Sequence, residues 1–442
     1  MIKAKAVDYA HDGRGVVKYE GKPVFVPDLL IGEEANIEIV SDRKSYMLGV
    51  VKERLNDSEF RIKPVCPYFD MCGGCQLQHM SYEHQLEMKT NRVSHALNHI
   101  AKLYVQVDDI KPSSVPLHYR NKIQMAFANE GKKLICGFYQ AKSKKVIDID
   151  HCYIEHEEGN QIIQSLRSLL ESYNLRAFDP RTNQGWIKHA IVKKGIYSKE
   201  LMLIIVSQYE GFKKEAQIVA ALVKKHPELT TIIHQANPSS YKVIGTVDRV
   251  IYGKGYIKDD IDGLTFRIKP QSFYQVNPVQ AHDLYSKAIE LAQITTNDQV
   301  LDAYCGVGTI SLFAAKYAKH VTGIDIVSDA IKDAQANADL NYMKNTTFKC
   351  VDATEYMKET NDVYDIVIVD PPRDGLQQPF IDALKVMRPK KFVYISCEPS
   401  SLARDLKQLK DTYHVNKVTP VDMFSQTYHV ETVTLLILKE DR

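Results

Sequence analysis

Residues 271–442 alternate between apolar, strand-like stretches and amphipathic, helix-like stretches, and this alternation limits the possible folds more than any other feature. Each stretch with strand character is followed by one with the spacing of a helix. Strands are predicted at 299–303, 320–326, 364–369, 392–396 and 432–438, and helices at 309–318, 328–340, 378–386 and 401–409. The pattern predicts an α/β domain with a doubly wound, Rossmann-like, mostly parallel sheet and helices on both faces.

The first two thirds of the chain have a different character. Residues 1–58 contain five short predicted strands separated by turns, at 3–8, 16–19, 24–26, 35–40 and 46–51. This favours a small closed or nearly closed β-barrel of the oligonucleotide-binding kind. Residues 59–270 mix predicted helices and strands, which indicates a mixed α+β central domain. Because 442 residues exceed what one hydrophobic core usually holds, we expect three domains, at 1–58, 59–270 and 271–442.

Charge and apolar runs restrict the environment and the partners of the chain. The formal net charge is only +2, but residues 61–270 are basic and residues 271–442 are acidic, which hints at a polyanionic partner. Solvated surface lysines explain the same pattern equally well. No apolar run is long enough for a membrane helix, and the cysteines are too few and too unevenly placed for a disulfide framework. We therefore expect a soluble, cytoplasmic protein with no obligate protein partner.

A glycine-containing turn links the first predicted strand of the last segment to its helix. Gly306 and Gly308 let the backbone approach a ligand, and Asp325 ends the next strand, where it can accept from ribose hydroxyls. Asp352, after the third strand, can accept from an adenine amino group. NAD is disfavoured because Ser311 occupies the third glycine position, and no nucleotide-binding loop of the Walker type occurs. A purely structural turn stays the alternative.

Residues with chemical potential adjoin three further predicted strands, whose tips a doubly wound sheet brings to one crevice. Asp370 follows one strand, Cys397 follows the next, and Glu431 precedes the last. A thiolate and a base together suit methylation at carbon 5 of uracil. Addition of the thiolate at carbon 6 makes carbon 5 nucleophilic, and the base later removes the carbon 5 proton. Each residue also has a plainer interpretation, since a lone cysteine usually belongs to a core and Glu431 can pair with a surface lysine.

Five motifs, in order, resemble those of the RNA uracil-5-methyltransferase family, the class I RNA m5U methyltransferases, over nearly the whole chain. They are Phe273-Tyr274-Gln275-Val276-Asn277, Asp302-Ala303-Tyr304-Cys305-Gly306-Val307-Gly308, Asp370-Pro371-Pro372-Arg373, Ser396-Cys397-Glu398-Pro399 and His429-Val430-Glu431-Thr432. The resemblance implies that S-adenosylmethionine is the methyl donor, that Cys397 is the nucleophile and that Glu431 is the base. It also implies that four residues contact the donor or the target base: Gln275, Tyr304, Asp325 and Asp370.

The same resemblance identifies the N-terminal barrel with the small RNA-binding TRAM domain. One position departs from the pattern, because many members have asparagine after the nucleophile where this chain has Glu398. A neighbouring carboxylate tends to raise the pKa of a thiol. The assignment of Cys397 survives this departure, but the electrostatics around it do not carry over from the family.

Four cysteines form a second candidate site. Cys66, Cys72 and Cys75 are close together in the sequence, and Cys152 lies further on. Four thiolates suit zinc or an iron–sulfur cluster. The spacing resembles the four-cysteine [4Fe–4S] site of the same family, which implies that cluster, with zinc as the main alternative. The polar mechanism needs no electron, so we expect the cluster to have a structural or RNA-positioning role.

Three functions compete at this stage. Methylation of uridine carbon 5 in RNA uses every motif, and a loop uridine is favoured because the base must leave its stack. Within the family, a barrel plus a cluster is more common in ribosomal RNA enzymes, which favours 23S rRNA, with transfer RNA as the alternative. Amino-group methylation through Asp370-Pro371-Pro372 would leave Cys397 and Glu431 unused. A non-catalytic RNA-binding factor would leave the glycine turn unused.

Overall fold

The first part of the chain forms a curled six-stranded sheet in the computed structural model, which describes residues 1–239, 243, 245 and 247–440. Its strands are β1 (Ile2–Lys5), β2 (Asp8–Tyr9), β3 (Gly15–Tyr19), β4 (Lys22–Val26), β5 (Glu34–Asp42) and β6 (Met47–Arg54), in the order β1-β5-β6-β4-β3-β2. Only Ala6 and Val7 separate β1 from β2, so one stretch of chain pairs with both edges of the sheet. Val17, Val24 and Ile37 fill the interior. The prediction of a small, nearly closed barrel is confirmed.

The central part of the chain is built on a second six-stranded sheet. Its elements are α1 (Tyr82–Ala96), which continues as one π-helical turn (Leu97–Ala101), β7 (Lys122–Glu130), β8 (Lys133–Gly137), α2 (Glu157–Ser172), β9 (Ile187–Lys194), β10 (Leu201–Ser207), α3 (Glu215–Lys225), β11 (Leu229–Ala236) and β12 (Arg249–Gly253). The strand order is β12-β11-β10-β9-β7-β8, and only β10 and β11 pair in parallel. Helices α2 and α3 cover one face, and a hairpin of β13 (Ile257–Ile261) and β14 (Leu264–Ile268) packs on the other.

The last part of the chain forms a seven-stranded sheet. Its elements are α4 (Pro278–Ala292), β15 (Gln299–Ala303), α5 (Thr309–Ala315), β16 (His320–Asp325), α6 (Ser328–Leu340), β17 (Thr346–Cys350), α7 (Ala353–Glu359), β18 (Ile366–Val369), α8 (Gln378–Met387), β19 (Lys391–Ser396), α9 (Pro399–Leu409), β20 (Tyr413–Val421) and β21 (Glu431–Leu438). In the order β17-β16-β15-β18-β19-β21-β20, the first five strands are parallel and β21 runs antiparallel to β19. Apolar cores on both faces, around Phe380 and around Leu284, confirm the doubly wound α/β fold.

Helices α4 and α7 and strand β20 of this part of the chain were absent from the sequence prediction. Helix α4 begins with Asn277 as its N-cap and Pro278 in its first turn, a start signal that sequence rules recognise. Strand β20 is an edge strand with polar residues and Pro420, which weakens the pattern of a buried strand. No helix within the described residues is long and apolar enough to cross a membrane. The limits of the three domains stay a prediction.

Helix α1 docks on the C-terminal sheet, although it lies far from that sheet in sequence. Val93 and Leu97 belong to the same buried core as Leu402 and Leu406 of α9. The preceding turn of α1 carries Lys89, which is fully buried. A buried lysine requires a partner, because an ammonium group loses its hydration in the interior. That requirement fixes how α1 approaches the sheet.

The buried ion pair between Lys89 and Asp422 gives a test of this docking, because both side chains have no exposed surface. Asp422→Ala leaves the Lys89 ammonium without its counter-charge, so we expect the free energy of unfolding to fall by about 3–5 kcal/mol. Asp329→Ala breaks the exposed pair with Lys332 and should leave stability unchanged. Urea unfolding followed by circular dichroism compares the two variants. Equal stability of both would contradict the docking of α1 described here.

Candidate active site

Four predicted site residues lie at the carboxyl edge of the C-terminal sheet. Tyr304 directly follows β15, Asp325 ends β16, Asp370 follows β18 and Cys397 follows β19. Because these strands are parallel and adjacent, their ends open into the same crevice. The structure therefore brings together residues that are separated by more than ninety positions in the chain.

Glu431 enters the crevice from the opposite direction, on the antiparallel strand β21. The register pairs Ser396 with Thr432, and the Thr432 hydroxyl donates to the Ser396 carbonyl at 3.1 Å. The next position on each side of this pair holds Cys397 and Glu431. The thiol and the carboxyl group are thus neighbours across the two strands, and Glu431 is only 4% exposed.

Burial and crowding of acidic groups control ionisation in the crevice. Burial raises the pKa of Cys397 to about 12, and Glu431 and Asp370 add to this rise while Arg373 opposes it. Burial also raises the pKa of Glu431 well above its usual value, again with Asp370 adding and Arg373 opposing. Burial raises the pKa of Asp370 to about 7. A carboxyl group with a raised pKa is suited to take up a proton near neutral pH.

Glu398, the residue that departs from the family pattern, is held by an arginine from α1. Burial alone would raise the pKa of Glu398, but Arg92 and a hydrogen bond from Ser400 lower it. The groups that raise the pKa of Cys397 are Glu431 and Asp370, after burial itself. The Glu398 carboxylate is itself paired with the Arg92 guanidinium, at 2.8 and 2.9 Å.

The glycine turn after β15 has the backbone that a close ligand approach requires. Gly308, at φ 82°, is the N-cap of α5, and Tyr304 also has a left-handed backbone, at φ 69°. Asp325 accepts from the backbone N–H of Gly306 at 3.0 Å and from that of Val327 at 2.8 Å. The carboxylate at the end of β16 thereby fixes the turn.

Ser311, which occupies the position where dinucleotide-binding turns have glycine, has a local partner. Its hydroxyl donates to the buried carboxyl group of Asp302 at 2.5 Å. Burial raises the pKa of Asp302 to about 7, although the bond from Ser311 lowers it. The serine thus meets a hydrogen-bonding need of this chain, which accounts for its presence at the turn.

Gln275 lies on a loop that the central sheet holds in place. Asn121, at the start of β7, donates its side-chain amide to the Gln275 carbonyl at 3.1 Å. The buried Lys193 ammonium donates to the carbonyls of Lys269, Pro270 and Ser272, at 3.1, 2.8 and 3.0 Å. These contacts rest on residues that sequence patterns did not single out.

Tyr285 on α4 joins this loop to the crevice, and sequence patterns did not single it out. Burial raises the pKa of its hydroxyl well above the usual value, and so does the nearby Asp370, whereas a hydrogen bond with the Gln275 side chain lowers it. Gln275 and Asp370 therefore face a common neighbour. The only available signal was the position of Tyr285 on the apolar face of α4, which equally fits an ordinary core residue.

The four predicted metal-binding cysteines are separate from the crevice. They line one cavity of about 240 Å³ together with Arg120. Burial raises the pKa of all four thiols: Cys66, Cys72, Cys75 and Cys152. Among the described residues, the only trio whose possible ligand atoms all lie within 4.8 Å of one another is His118, His151 and Glu157, so no three of the thiol sulfurs all lie that close together.

Sequence comparison identifies a protein family and relatives that this chain resembles over nearly its whole length. The family model for tRNA (uracil-5-)-methyltransferases matches residues 81–439. The chain is 41% identical over 439 residues to an uncharacterized RNA methyltransferase of Oceanobacillus iheyensis, with 98% of this chain and 95% of that protein covered. It is 42% identical over 442 residues to an uncharacterized RNA methyltransferase of Listeria monocytogenes, with 99% and 97% covered.

Solved structures point in the same direction. The chain is similar to the tRNA (uracil-54, C5)-methyltransferase of Pyrococcus abyssi, whose crystal structure contains S-adenosyl-L-homocysteine. The TM-score is 0.81 at 28% sequence identity, and the match covers 98% of this chain and 99% of the archaeal one. Taken with the family model and the sequence relatives, this shows that the chain belongs to the tRNA (uracil-5-)-methyltransferase family and is an RNA methyltransferase.

Proposed function

We propose that the protein transfers a methyl group from S-adenosylmethionine to carbon 5 of a uridine in RNA, most specifically in 23S rRNA. Cys397 acts as nucleophile and Glu431 as base. The observation that carries this proposal is the register of β19 and β21, which sets the thiol beside a buried carboxyl group. Amino-group methylation through Asp370-Pro371-Pro372 gives no role to this pair.

The residues at the glycine turn fit S-adenosylmethionine. No heavy atom lies within 4 Å of the position that a Cβ on Gly306 would take, so there is room beside the turn. Each oxygen of Asp325 accepts one backbone N–H and keeps a further lone pair for a ribose hydroxyl. When bound, S-adenosylmethionine supplies an electrophilic methyl group carried by a sulfonium. Tyr304, Asp370 and Gln275 are the further proposed contacts of the donor or the target base.

The first step is the addition of the Cys397 thiolate to carbon 6 of the uracil ring. The sulfur–carbon bond forms with the sulfur electron pair, and the electrons of the ring double bond move toward carbon 5 and the neighbouring carbonyl. The raised pKa of Cys397 keeps the thiol protonated in the free enzyme, so the thiol proton passes to solvent before the sulfur attacks carbon 6. The positive charge of Arg373 favours the thiolate.

The second step restores the ring after carbon 5 has taken the methyl group. A carboxylate oxygen of Glu431 removes the remaining proton from carbon 5. The electrons of that carbon–hydrogen bond re-form the double bond between carbons 5 and 6, and the Cys397 thiolate leaves. Because burial raises the pKa of Glu431, the carboxylate is basic enough to accept this proton.

Two features support an RNA target of the ribosomal class, and one favours transfer RNA. Within the family, an N-terminal barrel together with a four-cysteine site is more common in enzymes of ribosomal RNA, and this chain has a curled N-terminal sheet and four cysteines that line one cavity. The archaeal relative, which its name identifies as acting on uracil 54 of tRNA, covers 98% of this chain. A uridine of tRNA is therefore the second candidate substrate.

We further propose that Cys66, Cys72, Cys75 and Cys152 hold a [4Fe–4S] cluster. Four thiolates suit such a cluster, with tetrahedral zinc as the alternative, and these four cysteines line one cavity of about 240 Å³. The cluster would supply a fixed scaffold, and the barrel, the central part and the C-terminal part would serve as RNA-binding, RNA-positioning and catalytic domains.

Covalent trapping tests the proposed mechanism. RNA containing 5-fluorouridine should form a stable adduct with the wild-type enzyme in the presence of S-adenosylmethionine, because fluorine cannot be abstracted as a cation from carbon 5. Cys397→Ala should form none, and Cys350→Ala, which removes an exposed cysteine, should form it normally. With ordinary RNA, Glu431→Gln should accumulate the methylated adduct. Denaturing gel electrophoresis measures all four, and an unchanged adduct with Cys397→Ala refutes the nucleophile.

Purification without oxygen tests the cluster. We expect a brown protein with iron and acid-labile sulfide in the ratio of a [4Fe–4S] cluster, and loss of both in Cys152→Ser. Cys350→Ser is the matched control and should keep the cluster, because Cys350 is not among the residues that line the cavity. A colourless wild-type protein that carries one zinc ion per chain would contradict the proposal.

Methyl transfer to isolated RNAs decides between the two substrate classes. Unmodified 23S rRNA and unmodified total tRNA are each incubated with the enzyme and a labelled methyl donor, and products are mapped by mass spectrometry. We expect 5-methyluridine in a single-stranded or loop segment of 23S rRNA. Methylation confined to tRNA would move the protein to the second candidate class, with the same chemistry.

A further inference from the structure

Helix α1 turns a row of polar side chains toward the segment 422–428, which ends three residues before Glu431, the first residue of β21. Tyr82, Gln85, Lys89 and Arg92 follow one another at spacings of three and four residues, so they lie along one face of the helix. A polar face normally points to solvent, but this one is turned inward. The function of α1 is therefore inferred from the partners that these inward-facing polar side chains contact.

The first three residues of this row fix the start and the middle of the segment. The Tyr82 hydroxyl donates to Asp422 at 2.7 Å, and the Lys89 ammonium pairs with the same carboxylate and donates to the Phe424 carbonyl at 3.1 Å. Gln85 donates to the Gln426 side chain and accepts from its backbone N–H, each at 3.1 Å. The segment is thus bound to α1 along its length.

Arg92, the last residue of the row, contacts both the residue that follows Cys397 and the segment that precedes Glu431. One guanidinium nitrogen donates to both carboxylate oxygens of Glu398, at 2.8 and 2.9 Å. The other donates to the Tyr428 carbonyl at 2.9 Å, and the guanidinium lies 5.6 Å from the centre of the Tyr428 ring. Glu398 directly follows Cys397, and Tyr428 lies three residues before Glu431. A side chain that is 9% exposed therefore joins the two loops.

The charged groups near Cys397 and Glu398 show which carboxylate Arg92 neutralises. Cys397 faces Glu431 and Asp370, which disfavour its thiolate, and Arg373, which favours it. Glu398 has Arg92 and the hydroxyl of Ser400 as its partners. Without Arg92, the carboxylate of Glu398, the residue that follows Cys397 in the chain, would lack its counter-charge.

The surroundings of Arg92 complete this charge pattern. His429 faces Arg92, Arg373, Lys89 and Glu398, and burial lowers its pKa to about 4, so it brings no positive charge at neutral pH. Arg92 is therefore the cation that compensates Glu398.

We propose that Arg92 is a positioning residue of the methyl-transfer reaction, which holds the loop of Cys397 and the segment of Glu431 in register and neutralises Glu398. The proposal rests on the proposed roles of Cys397 and Glu431. In this proposal, α1 holds the loop of Cys397 and the segment of Glu431 in a fixed position relative to each other.

A charge cycle at Arg92 and Glu398 tests the proposal. The variants are Arg92→Met, Glu398→Gln and the double variant, with Arg249→Met as control, because Arg249 forms a comparable pair with Glu215 in the central sheet. The rate of adduct formation with 5-fluorouridine RNA is measured from about pH 6 to about pH 9, a range wide enough to detect a shift of about one unit. RNA binding and the thermal midpoint are measured on the same preparations.

In Arg92→Met we expect adduct formation at neutral pH to slow by about tenfold or more, and its pH profile to move upward by about one unit, because the unpaired Glu398 disfavours the thiolate. RNA affinity should change by less than about threefold. The double variant should regain most of the pH profile, since the extra charge is gone, and Arg249→Met should behave as wild type.

Two results would overturn the proposal. One is an Arg92→Met enzyme whose thermal midpoint falls while the rate and pH profile of its folded fraction stay those of wild type. The other is a double variant whose pH profile is shifted as far as that of Arg92→Met. Failure of the proposed function has a different signature, because wild type would then form no adduct or Cys397→Ala would still form one.

Discussion

The antiparallel register between β19 and β21 is the constraint on which the catalytic arrangement depends. Side chains alternate between the two faces of a sheet, so a slip of one residue would send Glu431 to the face opposite the one it now occupies. The pairing of Ser396 with Thr432 excludes that slip, and apolar residues on both strands fill the cores on the two sides. The antiparallel strand β21 thus allows one edge of the sheet to present a thiol and a carboxyl group from opposite directions.

Burying several acidic groups in one crevice opposes their ionisation. Nearby arginines partly offset this effect, because a positive charge favours the ionised form of each acid. Arg373 acts on both Cys397 and Glu431, and Arg92 acts on Glu398. Charges count for more in a site from which water is excluded, because the effective dielectric constant is low. The same low dielectric that keeps the thiol protonated in the free enzyme raises the basicity of Glu431, which suits the proposed proton removal.

Much of the fold followed from local patterns, because strand ends, turns and helix starts depend on nearby residues. The predicted strand ends before Asp370 and Cys397, and the barrel at the start of the chain, agree with the structure. The docking of α1 was not accessible in this way. Its row of polar residues is typical of a solvated face, and its partners lie more than three hundred positions later. The contact of Tyr285 with the site could not be predicted for a similar reason, since a tyrosine on an apolar helix face does not indicate which loop it contacts.

The central claim is that Cys397 and Glu431 act on the two neighbouring carbons of one uracil ring. A crystal structure of the enzyme trapped on 5-fluorouridine RNA tests it most directly. The account predicts a covalent bond between the Cys397 sulfur and carbon 6, with a Glu431 carboxylate oxygen facing carbon 5 within hydrogen-bonding range. A bond from carbon 6 to any other residue, or a Glu431 side chain directed away from the ring, would contradict it.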